Sequence, residues 1–279
     1  MPQVGFAFKL TEKTVLRGGY GINYGFLGQR RGDVVQDGFS QNTGLVPSLD
    51  KGLSFFETLS NPFTSGVLQP KGSAEGPQTF LGQSIRFFNR KPDQVYNQRW
   101  QLALQHELAG GWAVDAAYVG SRGTNIEIDR NLNATPNYYL SSSPVRDQSR
   151  ITYLSGTVPN PSYGLLPVTT TIGGTRTIAR EQLLRPFPQF AAPNATTGVV
   201  STTNQGYSWY HSLQAGIQRR FSKGYTVLAN YTYSKFMQAT EYLNPADPTP
   251  TEVISHMDTP HRLSLSGIYE LPWGKTGSG

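Results

Sequence analysis

No cysteine occurs among the 279 residues, which removes disulfide frameworks, thiolate zinc sites and cysteine nucleophiles from consideration. Charged side chains are sparse, at 15%, against roughly 25% in an ordinary soluble domain. Nowhere do 18 apolar residues run together, so no transmembrane helix is encoded. The opening Met1-Pro2-Gln3-Val4 carries neither a basic n-region nor an apolar h-region, which fits a cytosolic protein or an internal piece of something longer. The chain is rich in 30 Gly and 19 Pro, too many helix breakers for a coiled coil or helical bundle. Its 14 Phe, 15 Tyr and 4 Trp are too many for a disordered chain. The net charge of +6 would suit an acidic partner, but the cations are mostly scattered singly, with Arg30-Arg31 and Arg219-Arg220 as the arginine pairs. A protein that tracks a nucleic-acid backbone clusters them on one face, so no nucleic-acid partner is expected.

The dominant pattern has period 2. Trp100, Leu102 and Leu104 alternate with Gln101, Ala103 and Gln105. After Leu108-Ala109-Gly110-Gly111, Trp112, Val114, Ala116 and Tyr118 alternate with Ala113, Asp115 and Ala117. Two alternating runs about a short glycine-containing turn form a β-hairpin. The unit recurs around Phe221-Ser222-Lys223-Gly224, from Leu213, Ala215 and Ile217 to Tyr225, Val227, Ala229, Tyr231 and Tyr233. A third copy opens the chain, with Val4, Phe6 and Phe8 before Thr11-Glu12-Lys13 and Leu16, Tyr20, Ile22 and Tyr24 after it. A last strand carries Leu263, Leu265, Tyr269 and Leu271 into Pro272-Trp273-Gly274-Lys275.

The expectation is an all-β chain of about seven antiparallel strands of roughly 9 to 11 residues, joined alternately by very short and very long connections. The long ones run from about Phe26 to Val95, Ser121 to Ser208 and Met237 to Pro260. Structureless loops of that length do not suit a compact soluble domain. They do suit a transmembrane β-barrel, whose short turns lie on the periplasmic side and long loops on the extracellular side. Ten residues at about 3.3 Å each, tilted by roughly 40°, span about 25 Å, the height of the apolar band. One face of each strand is apolar; the other carries Ser, Thr, Asn, Gln, Gly and an occasional charge. Leu102, Leu104, Val114, Leu213, Ile217, Val227, Leu263 and Leu265 are expected to face lipid. Trp112, Tyr225 and Trp273 are expected in a periplasmic aromatic girdle, and Tyr24, Tyr118 and Tyr233 in an outer one. A soluble all-β binding module, such as a carbohydrate-binding sandwich, remains an alternative. It would pack Leu213, Ala215, Ile217, Val227 and Ala229 against a second sheet. A passive porin-like channel is another.

Five stretches carry a family resemblance. They are Leu16-Arg17-Gly18-Gly19-Tyr20-Gly21, Gly111 through Gly123, Leu184-Arg185-Pro186-Phe187-Pro188-Gln189-Phe190, Phe221 through Lys235, and Pro260-His261-Arg262 through Lys275. In this order they resemble the barrel of TonB-dependent receptors of the Oar-like type, which carry a carboxypeptidase-regulatory-like domain. The resemblance implies a larger, 22-stranded barrel with an N-terminal plug, sited in the Gram-negative outer membrane, that takes up a large or scarce ligand when the TonB complex pulls on the plug. No plug or TonB box precedes Val4 and no closing aromatic strand ends the chain. Residues 1–279 are therefore expected to be a partial barrel domain, an internal fragment supplying wall and outer loops. The implied partners are outer-membrane lipid and lipopolysaccharide, the TonB complex through the missing plug region, and an unknown ligand.

Chemistry-bearing motifs are few, and no enzyme, cofactor or metal site is expected. None of His106, His211, His256 and His261 forms a His-x-x-x-His pair. His256, Asp258 and His261 lie close together but in a loop of polar residues that ordinarily face solvent. Gly274-Lys275-Thr276 lacks the earlier Gly of a phosphate loop, Tyr269 standing there, and no Gly-x-Ser-x-Gly elbow occurs. Asp115 falls on the lumen side, where satisfying lumen hydrogen bonds is the expected role. Arg122 and Arg130 fall at the outer rim, where they are solvated loop charges or meet lipopolysaccharide phosphates. Ligand discrimination belongs to the long loops. There Tyr138, Tyr139, Phe187, Phe190, Tyr207 and Trp209 are candidates for stacking on a flat ligand or for packing the loops together.

Overall fold

A computed structural model describes residues 2–25, 38–87, 89–168, 170–190, 198–222, 224–271 and 273. Arg30-Arg31, Lys223, Pro272 and Gly274-Lys275-Thr276, singled out above, lie outside the described residues. The strands are β1 (Gln3–Thr11), β2 (Thr14–Tyr24), β3 (Ile85–Phe87), β4 (Tyr96–Glu107), β5 (Trp112–Asn131), β6 (Thr157–Pro159), β7 (Thr177–Ala179), β8 (Val199–Ser222), β9 (Tyr225–Ala239), β10 (Val253–Ile254) and β11 (His261–Tyr269). Three short helices are α1 (Gln148–Ser155), α2 (Thr171–Gly174) and α3 (Arg180–Leu183). The chain divides into two compact units: residues 1–29, 89–129 and 202–279, and residues 30–88 and 130–201.

The first unit is one antiparallel sheet in which β1, β2, β4, β5, β8 and β9 lie side by side, with β10 and β11 both paired to β9. Seven long strands in chain order make up this wall. Because each pairs with its predecessor, all three short turns fall at one end of the sheet. At the β4–β5 turn, Gly110 (φ 76°) and Gly111 (φ 79°) take the left-handed conformations that a side chain would oppose.

Register fixes the faces. Leu16 pairs with Leu104, and Leu104 with Ala116; Gly18 pairs with Leu102, and Leu102 with Tyr118. Leu213 pairs with Tyr233, and Tyr231 with Leu263. The expected apolar stripes thus lie on one face of one sheet. That face is not covered within the unit: Leu213 is 58% and Leu265 74% exposed. Among the described residues, no second sheet packs on Leu213 or Ile217 in this unit, as a sandwich would require.

Two glycines of this face lie beneath a neighbour's ring. Gly18 pairs with Phe6 and Gly120 with Trp100, and a Cβ built on either glycine would overlap the ring. The aromatic fills the space left by the missing side chain. Gly120→Val should therefore displace Trp100 and cost about 1–3 kcal/mol. Urea unfolding of the native protein with tryptophan fluorescence would show it, and combining the change with Trp100→Leu should recover most of the loss. Equal losses in the single and double variants would refute the pairing.

The strands are longer than the alternation suggests. β5 continues to Asn131 and β9 to Ala239, so Tyr118 and Tyr233 stand within strands rather than at their loop ends. Gly120-Ser121-Arg122-Gly123-Thr124 has the composition of a loop, but its backbone is satisfied by a ladder to Tyr96–Trp100 of β4. Likewise Tyr207 and Trp209, expected in a loop, are on β8 and pair with Ala239 and Met237.

The second unit is built from two of the long connections, which are folded rather than structureless. β3 runs parallel to Val199–Ser201, β6 pairs with β7, and the three helices lie between Gln148 and Leu183. Much of its buried interior is polar. Asn133 is fully buried, and Asn160, Gln182 and Thr135 are nearly so, beside Leu154, Ile172 and Ile178.

Candidate functional site

The surface with functional content is the wall itself, with two chemically opposite faces. Positions alternate with the apolar stripe to give a second face: Arg17, Gly19 and Asn23 on β2, Arg99, Gln101 and Gln105 on β4, Asp115 on β5, and Asn230, Thr232 and Ser264 farther along. Gln3, Gly5, Gly19, Gly21, Arg99 and Gln101 contribute to an open groove of about 600 Å³, and three of them lack side chains. Asp115 pairs with Gln105, and a Cβ on Gly216 would overlap its carboxylate. The carboxylate occupies the room that glycine leaves.

The apolar face carries its polar atoms in two bands. Near the short turns, Arg219 is buried against two rings, its guanidinium carbon 4.0 Å from the centre of Tyr225 and 5.5 Å from that of Trp112. Both distances are suited to cation–π attraction. Trp112 and Tyr225 are therefore at the turn end, as expected from the sequence. Trp273, past β11, is 75% exposed. The sequence signal for Arg219 is parity: it continues the stripe of Leu213, Ala215 and Ile217.

Toward the long connections, Tyr118 and His211 share a hydrogen bond of 2.7 Å, and Tyr231 and His261 one of 2.8 Å. The ring of His211 also lies 6.1 Å from Trp100. Tyr24 ends β2 opposite Tyr96, their ring centres 6.2 Å apart. Beyond them, Trp100, Arg122, Tyr207, Trp209, His211 and Glu252 line a cavity of about 280 Å³. Tyr207 and Trp209 stack, with centroids 5.8 Å apart and planes 16° apart, and the Tyr207 hydroxyl donates to Glu252 Oε1 at 2.8 Å. Glu252 and the ring stack have no motif to announce them; only folding brings residues 207 and 252 together.

The histidine–aspartate cluster of the last loop separates. Asp258 Oδ1 accepts from the Phe236 N–H at 2.7 Å, while His261 turns to Tyr231. No group of three or more His, Asp or Glu with metal-binding geometry occurs among the described residues.

In the second unit, Tyr138 and Tyr139 contact each other with ring centroids 4.3 Å apart, and Tyr138 is 75% exposed. Phe187 is held by its N–H, which donates to Asn133 Oδ1 at 2.9 Å; the Phe190 carbonyl accepts from Gln182 at 2.8 Å. Burial pushes the Glu181 carboxyl up, but hydrogen bonds from Arg185 (2.7 Å) and Thr135 (2.8 Å) outweigh it and leave it below its ordinary value. Asp147 caps α1, accepting from the Arg150 N–H at 2.9 Å and from the Ser141 hydroxyl at 2.8 Å, and these bonds lower its pKa. A cavity of about 370 Å³ is lined by Ile172, Ile178, Gln182, Arg185 and several threonines.

Residues 1–278 match the family model described as outer membrane beta barrel domain. The chain belongs to that family. The seven-stranded wall is thus outer membrane β-barrel, and the outer membrane is its location. No curated protein matches the barrel domain's sequence. Among solved structures it is similar to the FrpB iron transporter from Neisseria meningitidis (F3-3 variant). The identity is 9% and the TM-score 0.34, over 88% of this chain and 24% of the transporter. The barrel domain spans about a quarter of that transporter's length.

Proposed function

We propose that this barrel domain is part of the wall of a TonB-dependent outer-membrane receptor of the Oar-like type, which takes up a large or scarce ligand. The observation that supports this most is the polar face. Its glycine-floored groove and its row of Gln, Asn, Arg and Asp side chains suit a hydrated lumen in which a plug moves, and large outer-membrane transporters have plugged lumens. Long connections with folded structure of their own fit loops that select a ligand, with Tyr138, Tyr139, Phe187 and Phe190 as the contacting rings. In this assignment Leu102, Leu104, Val114, Leu213, Ile217, Val227, Leu263 and Leu265 face acyl chains. Trp112, Tyr225 and Trp273 mark the periplasmic interface and Tyr24 the outer one, while Tyr118 and Tyr233 lie deeper in the band. The chain contributes wall and loops, and the inner-membrane complex works through the plug region of the intact receptor.

The test is in-cell photocrosslinking of the native gene product to TonB, followed by outer-membrane fractionation. A product found in the outer membrane that crosslinks to TonB, more strongly when its ligand is present, is expected. A product in the outer membrane that never contacts TonB and passes small solutes without proton-motive force would be a passive channel instead.

A further inference from the structure

We infer that the cavity formed by Trp100, Arg122, Tyr207, Trp209, His211 and Glu252 binds the phosphorylated amino-sugar headgroup of an outer-leaflet glycolipid. The inference rests on the outer-membrane location and not on coupling to TonB.

Three observations carry it. The first is facing. Trp100 and Arg122 share the parity of Leu102, Leu104 and Tyr118 along β4 and β5, and Trp209 and His211 that of Leu213 along β8. The Tyr118–His211 hydrogen bond places both strands' residues on this same side. The cavity therefore opens on the membrane-facing surface and not into the lumen. The second is height. Arg122 lies about ten residues along β5 from Trp112, and Trp209 about ten along β8 from Arg219, which at roughly 3.3 Å per residue and a tilt of about 40° is about 25 Å. If Trp112 and Arg219 mark one edge of the apolar band, Arg122 and Trp209 mark the other. That other edge is on the side of the long connections, which in outer-membrane barrels is extracellular. Its headgroups are those of the outer leaflet.

The third is chemistry. The Arg122 side chain is exposed and lines this cavity, and its planar fork of donors suits a phosphate there. The stacked rings of Tyr207 and Trp209 offer an apolar wall for the carbon face of a sugar, with Trp100 beside them. The Glu252 carboxylate, oriented by the Tyr207 hydroxyl at 2.8 Å, accepts from a sugar hydroxyl or amide N–H. A cation, an aromatic wall and an acceptor around about 280 Å³ match one phosphorylated sugar ring. A phospholipid headgroup has no ring to fill the aromatic wall.

The experiment is native mass spectrometry of the full-length protein in nanodiscs containing diphosphoryl lipid A, dephosphorylated lipid A or phosphatidylglycerol. Soluble glucosamine phosphate is offered in a fourth arm. The wild type should retain diphosphoryl lipid A at least about tenfold over the other two lipids, the scale of losing a charge-assisted hydrogen-bond pair. Arg122→Gln and Trp209→Leu should each abolish most of that preference. Lys13→Gln, at the opposite end of the strands, should not. Retention unchanged in both cavity variants, or equal retention of phosphatidylglycerol, would overturn the assignment. So would binding of the soluble sugar phosphate as tight as that of the lipid, which would make the cavity a solute site.

Discussion

Leu104→Arg in the intact outer-membrane protein should cost about 2–4 kcal/mol, the penalty of a cation near the bilayer midplane of a barrel. Gln105→Arg, one residue along, should cost close to nothing. Leu104 pairs with Leu16 and Ala116 on the apolar face and is 43% exposed. By strand length it lies near the middle of the band between Trp112 and Arg122. Gln105 points the other way and pairs with Asp115, so an arginine there gains a carboxylate neighbour in hydrated surroundings. Equilibrium unfolding in urea from lipid vesicles measures both. The contrast between adjacent positions matters more than either value, because it reports which face of the strand is turned to an apolar medium. Equal losses at 104 and 105 would refute the membrane-facing assignment of this stripe.

Asn160→Ala should loosen the second unit far more than a surface change does. The Asn160 amide donates to the carbonyls of Ile172 (2.6 Å) and Thr175 (2.7 Å), and its oxygen accepts from the Ser162 N–H at 2.9 Å. The side chain is 8% exposed, so its removal leaves two carbonyls without their donor in a place where water enters poorly. Each such group costs about 1–3 kcal/mol. Asn160→Asp should be at least as damaging, because it sets carboxylate oxygen against those carbonyls. Hydrogen exchange of residues 157–179 and protease nicking of whole cells would report the change. Protection equal to the wild type in both variants would show that apolar contacts around Ile172 and Ile178 hold this region instead.

The boundary between what the sequence reveals and what it hides is a physical one. Period 2 places residues on faces, so the stripes of Leu102, Leu104, Leu213 and Leu263 are legible from alternation alone. Short glycine turns mark strand ends, and Gly110-Gly111 is legible for that reason. Strand continuation is different. From Gly120 to Asn131 the ladder is held by backbone bonds to β4 and β8, and backbone pairing leaves little trace in side-chain type. Composition therefore reads Tyr118 as a strand end, and Tyr207 and Trp209 as loop. The folded content of the long connections is hidden likewise, since Asn133, Asn160 and Gln182 hold chain by side-chain–backbone bonds that composition renders as loop. The outer cavity needs three separate strands and Glu252 to converge, and no local window contains that.

The ring-over-glycine contacts have a consequence for assembly. A slip of β1 against β2 by one residue would swing Phe6 toward the watery side and strip Gly18 of its cover; the same slip of β4 against β5 would strand Trp100. Each pair works as a notch that accepts only one alignment. A misaligned ladder would thus lose its ring covers and turn those aromatics to the wrong face at once.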